Sequence, residues 1–105
     1  MSHNNYQETY KQLHPIFKDR GVKKAIVFGS RARGTGTRRS DLDLMIIMET
    51  EQRFFERFAH FDEIHDLLKD KNVDLLIYTP QELDRIAHRS FIKKILNQGR
   101  VIYEH

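Results

Sequence analysis

The sequence predicts a small α/β fold, a mixed sheet flanked by helices, and three observations lead to it. Three short runs rich in apolar and β-branched residues, Val22–Phe28, Leu42–Met48 and Val73–Tyr78, read as strands. Around and between them apolar residues recur at intervals of three and four, the period of a helix. The order strand, helix, strand over residues 42–78 then calls for a crossover, which makes the second and third strands parallel neighbours. With 105 residues the chain reads as one domain over 1–105, able to build a modest core.

Residues 4–20 carry Tyr6, Tyr10, Leu13 and Phe17 on one helical face, and Pro15 interrupts the pattern. A kinked helix, or a second one starting near Pro15, is expected to end at Gly21. The run Val22–Phe28, with glycine at both ends, is the first strand. Residues 31–34 are short enough for one helical turn opening at Ser30, and 35–40, with no apolar residue, read as an exposed loop. Leu42–Met48 follows as a strand whose apolar end asks for burial on both faces.

Residues 51–71 give the longest helical signal. Phe54, Phe58, Phe61, His65 and Leu68 form a stripe that Phe55, Ile64 and Leu67 widen, and Arg57 falls among the charged residues of the opposite face. The phenylalanines are expected to pack under the sheet. After Val73–Tyr78, Thr79-Pro80 with Glu82 has the pattern of a capping box with proline in the first helical position. Leu83, Ile86 and Ala87 supply the apolar face of that helix. Phe91, Ile92, Ile95 and Leu96 form a second stripe that stops at Gly99, and residues 101–103 suit a short edge strand or an extended tail.

Composition narrows the function classes. No apolar run approaches the ~20 residues that span a bilayer. The first residues lack the apolar segment of a secretory signal, and cysteine is absent, which removes disulfide and thiol chemistry. A cytoplasmic protein with no membrane partner is the expectation. Lys plus Arg number 18 against 15 Asp plus Glu, a formal charge of +3, too small an excess for a nucleic-acid footprint. His60 and His65 stand five apart, which is not the spacing of a helical metal pair.

The chemistry concentrates in residues 29–44, GSRARGTGTRRSDLDL. Glycine at 29, followed by Ser30, lets backbone N–H groups approach a phosphate without a side chain in the way. On a strand, Asp41 and Asp43 would project from one face while Leu42 and Leu44 enter the core. Neighbouring carboxylates repel unless a cation lies between them, and hard oxygen ligands suit Mg²⁺ or Mn²⁺. Asp74 opens the third strand beside the second. Three carboxylates at one sheet edge are a ligand set for one or two divalent cations on a nucleoside triphosphate. The third is also placed to take a proton from an attacking hydroxyl.

Gly29-Ser30, the Arg31-Ala32-Arg33-Gly34 run, Ser40-Asp41, Asp43-Leu44 and Asp74 together resemble the polymerase-β-like nucleotidyltransferase superfamily. The wording is most similar to its minimal nucleotidyltransferase branch, small proteins paired with HEPN-domain partners in toxin–antitoxin modules. That resemblance implies the polymerase-β-like fold, a phosphate-binding turn at Gly29 and Ser30, and metal ligands at Asp41, Asp43 and Asp74. Asp74 would also be the general base, and Arg31 and Arg33 lie within the nucleotide-binding motif. It further implies ATP as substrate, Mg²⁺ (or Mn²⁺) as cofactor, and transfer of AMP to a hydroxyl of a HEPN toxin held in a hetero-oligomer. The spacer 35–39 departs from the commonest form, having no Pro-Asp or Pro-Glu before Ser40-Asp41. Two other readings stay open: an antitoxin that acts by binding alone, and a small-molecule nucleotidyltransferase of the antibiotic-modifying type.

Overall fold

The computed structural model describes residues 4–29, 42–69 and 71–105. Ser30 to Asp41, and with them the expected helical turn and loop, lie outside the described residues. Helix α1 (Asn4–Asp19) leads into strand β1 (Val22–Phe28), and β2 (Leu42–Met48) follows. A 3₁₀ helix (Phe54–Phe61) and α2 (Asp62–Leu67) then lead to β3 (Val73–Tyr78). The chain ends with α3 (Pro80–Ile86), α4 (Ser90–Gln98) and β4 (Arg100–Glu104). The four strands make one mixed sheet in the order β3-β2-β1-β4. β2 and β3 are parallel, as the crossover requires, and β1 is antiparallel to both β2 and β4.

Alternation along the strands splits the core between two faces. Leu42, Leu44 and Ile46 of β2 and Val73, Leu75 and Ile77 of β3 pack with α1, Phe61 and Ile64. Met45 and Ile47 face the other way and pack with Ile26, Ile92 and Ile95, so α4 covers that side. Helix α1 buries Tyr10, Leu13, Ile16 and Phe17 and runs unbroken through Pro15, which is exposed, where water can replace the backbone bond proline forgoes. Its end is tied down by Arg20, which pairs with Asp19 and Glu63 and donates to the His60 carbonyl. The C-terminal residues form a true edge strand. His14 donates to the Ile102 carbonyl at 2.7 Å, and Phe17 meets the Tyr103 ring, so β4 is pinned to α1.

The segment expected as one helix over 51–71 is instead a 3₁₀ helix followed by a short α-helix. Its inward positions fall three apart, Phe54 with Arg57 and Phe58 with Phe61 and Ile64, which suits three residues per turn. Phe61, at φ −119° and ψ 22°, leaves helical geometry and separates the two pieces. Phe55, expected in the core stripe, is 82% exposed, and Leu67 and His65 are exposed as well. Arg57, expected on the solvent face, is buried.

Its burial has a physical reason: every part of the guanidinium is bonded. Nε donates to the Gln52 carbonyl, and one terminal nitrogen donates to the Ile77 carbonyl at the end of β3. Both terminal nitrogens then reach the two Glu82 carboxylate oxygens, at 2.7 and 2.9 Å. Glu82 is the third helical residue of α3. Its carboxylate also accepts from the Thr79 N–H while its own N–H donates to the Thr79 hydroxyl, which completes the capping box read from sequence. The hydrogen bond from Arg57 and that from Thr79 outweigh partial burial and hold the Glu82 carboxyl down at about 2, and the same pairing raises Arg57.

Candidate active site

One end of the sheet gathers the described residues of the acidic motif. β1 and β2 run antiparallel with Phe28 opposite Asp43, and β2 and β3 run parallel with Asp43 opposite Asp74. Residues paired across neighbouring strands share a face. Phe28, Asp43 and Asp74 therefore form a row on the face that α4 covers further along, where Met45, Ile47, Leu76 and Tyr78 complete the alternation. The two aspartates stand one strand spacing apart, about 5 Å between backbones. Asp43 is half-buried and Asp74 exposed, so the row opens from the sheet interior towards solvent. Leu42 donates its N–H to the Asn72 carbonyl at 2.8 Å, which fixes the entry of β3 against that of β2 and thereby the register of the two acids.

Gly29 closes the row at the end of β1. Its φ of +77° is a left-handed conformation that side chains disfavour. A Cβ built there would lie 2.5 Å from Oδ2 of Asp43. The carboxylate therefore occupies the space a side chain would need, and glycine keeps both the turn and the acid where they are. The expected convergence of turn and acids is seen for Gly29, Asp43 and Asp74. Ser30, Arg31, Arg33 and Asp41 lie outside the described residues.

The donor set suits a small hard cation. Two like charges directly across a strand pair repel, and an ion that takes both carboxylates converts that cost into attraction. Oxygen-only donors of this kind match Mg²⁺ or Mn²⁺. Among the described residues no group of three acidic or histidine side chains forms a complete metal site.

Beside this row lies a feature that the sequence did not disclose. Helix α4 was expected to bury Phe91, Ile92, Ile95 and Leu96. Ile92 and Ile95 are buried, whereas Phe91 and Leu96 are 57% and 42% exposed. The Phe91 ring stands edge-on to Phe28, 5.9 Å between centroids, and with Gly29, Lys94, Ile95 and Gln98 it lines a cleft against the end of β1. Gly99 lets the last turn of α4 come this near. A Cβ there would meet Ile26 Cγ2 and the Ile95 carbonyl oxygen at 2.5 Å each.

Known proteins agree with this architecture. Residues 11–105 match the family described as polymerase beta, nucleotidyltransferase. A Methanocaldococcus jannaschii protein named "Putative protein adenylyltransferase MJ0604" is 37% identical over 88 residues, 78% of this chain and 79% of its own length. A crystal structure described as the toxin-antitoxin with AMP-PNP has a TM-score of 0.66 at 20% identity, covering 94% of this chain and 73% of that one. A second, of the tri-AMPylated Shewanella oneidensis HEPN toxin in complex with MNT antitoxin, has a TM-score of 0.64 at 17% identity, covering 94% of this chain and 72% of that one. Such low identities speak for the fold, and the family match speaks for descent. With Gly29 and two of the acids in one row across its sheet, the chain belongs to the polymerase-β nucleotidyltransferase family.

Proposed function

We propose that this chain moves AMP from Mg²⁺-bound ATP to a hydroxyl of a partner protein, and that the partner is a HEPN toxin it neutralises as an antitoxin. The observation that carries the reading is the row itself, Asp43 in register with Asp74 and its carboxylate lodged against the side-chain-free face of Gly29. A relative named as a protein adenylyltransferase and a structural neighbour holding an AMPylated HEPN toxin support the choice of acceptor.

Asp43 and Asp74, joined by Asp41, would hold the metal, which when bound offsets the charge of the phosphates and of the leaving group. Gly29 and Ser30 would hold the triphosphate tail through backbone N–H groups and the serine hydroxyl. Arg31 and Arg33, in the same motif, would add positive charge to the nucleotide site. The acceptor oxygen attacks the α-phosphorus in line and its bond to phosphorus forms as the bond to pyrophosphate breaks. The hydroxyl proton passes to the carboxylate of Asp74, the exposed acid of the row. Positioning and charge neutralisation supply most of the acceleration.

The test uses the complex of this chain with its co-purified partner and ATP labelled at the α-phosphate. Label should enter the partner with the wild-type chain and be lost with Asp41→Asn, Asp43→Asn or Asp74→Asn. Unchanged labelling in all three would overturn the mechanism. Neutralisation that persists without the three acids would favour an antitoxin that acts by binding alone.

A further inference from the structure

Phe55 and the pocket beside it make a surface that the nucleotidyl-transfer chemistry does not use. We infer that it joins two copies of this chain, the Phe55 ring of each entering the pocket of the other about a two-fold axis. The surface lies at the carboxyl end of β3, where Tyr78 lines the pocket, and the acids lie at its amino end. The pairing therefore leaves the active-site row open and does not depend on the proposed function.

The projecting group is Phe55. It is 82% exposed, more than any other large apolar side chain among the described residues, and its ring stands edge-on to Phe54, 5.5 Å between centroids. A single exposed aromatic residue is ordinary on a monomer. This one has a receptacle next to it. Phe54, Tyr78, Glu82, Arg85 and Ile86 line a surface pocket of about 240 Å³, larger than the cavity of about 150 Å³ that takes up a benzene ring. Phe54 belongs to both features, as the neighbour of Phe55 and as a wall of the pocket. Knob and hole thus stand side by side on one face. A two-fold interface uses the same patch on both subunits, and an axis between knob and hole sets each ring over the other copy's pocket. A knob and a hole on different faces would string copies into an open chain instead.

The walls are in place before a second copy arrives. Phe54 packs edge-on to Phe58 and tilted against Tyr78, and the Arg57 guanidinium lies 6.0 Å from its ring centre. Glu82 is fixed by Arg57 and by the Thr79 N–H. Little is left to order on association, which keeps its entropic cost low. Charge favours the same pairing. Arg85 has no ion-pair partner among the described residues, whereas Glu82 already has Arg57. Glu51 and Glu56 are exposed beside Phe55, and with Arg53 between them that side keeps a net negative charge. The two-fold brings Arg85 of each copy towards the acids of the other, a complementarity that selects the partner and the register.

Sedimentation equilibrium of the full chain without its partner, up to about 100 μM, tests this over the range that detects a micromolar dimer. The wild-type mass should rise with concentration from 12.6 kDa towards twice that value. Phe55→Ser should raise the dimer Kd at least about thirtyfold, the effect of an interface hot spot. Its circular dichroism and melting temperature should stay those of wild type, because the ring lies mostly in water. Arg85→Glu should also weaken the dimer and reduce its dependence on salt. A wild-type chain that stays monomeric would overturn the inference, as would a dimer that neither variant changes. A monomeric wild type whose assembly with the co-purified partner is blocked by Phe55→Ser would give the surface to that partner and overturn the pairing of copies. Loss of nucleotidyl transfer alone would leave the dimer untouched and count only against the proposed function.

Discussion

At its carboxyl end β3 meets a closed set of opposite charges, the Arg57 guanidinium forked onto Glu82, whereas at its amino end Asp74 stands beside the like charge of Asp43. The first arrangement is satisfied internally. Arg57 has carbonyl and carboxylate partners on three sides, so it joins the 3₁₀ helix, β3 and α3. The second sets two acids side by side on neighbouring strands, with Asp43 against a glycine whose positive φ a side chain would disfavour. Like charges set side by side are a mark of a ligand site, so on the proposed function one end of the strand serves folding and the other serves chemistry.

That contrast predicts opposite responses to mutation. The largest effect belongs to Asp43→Asn. Nucleotidyl transfer should fall by about 100-fold or more, as when a main electrostatic group of an active site is removed. The melting temperature should change little, because the amide keeps the shape of the carboxylate that lies against Gly29. A marked drop in melting temperature would place Asp43 among the residues that build the fold.

Glu82→Ala should do the reverse. It leaves the buried Arg57 without its counter-charge and removes the cap of α3, costing about 2–4 kcal/mol in chemical denaturation, with activity per folded molecule unchanged. Arg57→Met should cost less, about 1–2 kcal/mol, since the Glu82 side chain is 36% exposed and turns to water. The order of the two values is the sharper check, because equal losses would mean that neither charge is more deeply committed than the other.

Gly29→Ala joins both properties. Its positive φ should cost about 1–2 kcal/mol, and the new methyl group must displace the Asp43 carboxylate, so transfer should fall as well. Acid titration gives the smallest effect. Glu82 sits at about 2 in the folded protein against its ordinary 4.5, so it binds fewer protons folded than unfolded. Its contribution to stability is therefore complete above pH 4.5 and fades as the pH falls towards 2. Glu82→Gln should flatten that part of the pH–stability curve.

How much of this was legible in the sequence follows from where each interaction is written. The strands β1, β2 and β3 are local signals, runs of β-branched residues with clear ends, and their limits match the expected ones. Asp74 was placed beside the second strand by the parallel sense of a crossover, a rule of topology that needs no side-chain detail, and the structure adds its register with Asp43. Arg57 was not legible, because a charged residue in a helical pattern reads as surface. Its partner lies 25 residues on, in a glutamate already explained as a cap. The 3₁₀ geometry of 54–61 shows only as inward positions three apart, a spacing that an α-helical stripe also contains. The cleft beside α4 was missed because Phe91 fitted an apolar stripe. Only the fold shows that Ile92 and Ile95 suffice to cover the sheet and leave the Phe91 ring at the site.

The central claim is that Asp43 and Asp74 hold one divalent ion between them, and Mn²⁺ binding measured by electron paramagnetic resonance on the full chain tests it without any acceptor. Wild type should bind Mn²⁺ in the presence of ATP, and Asp43→Asn and Asp74→Asn should each weaken that binding by about tenfold or more, with the fold intact by circular dichroism. Mn²⁺ affinity unchanged in both variants would contradict the account.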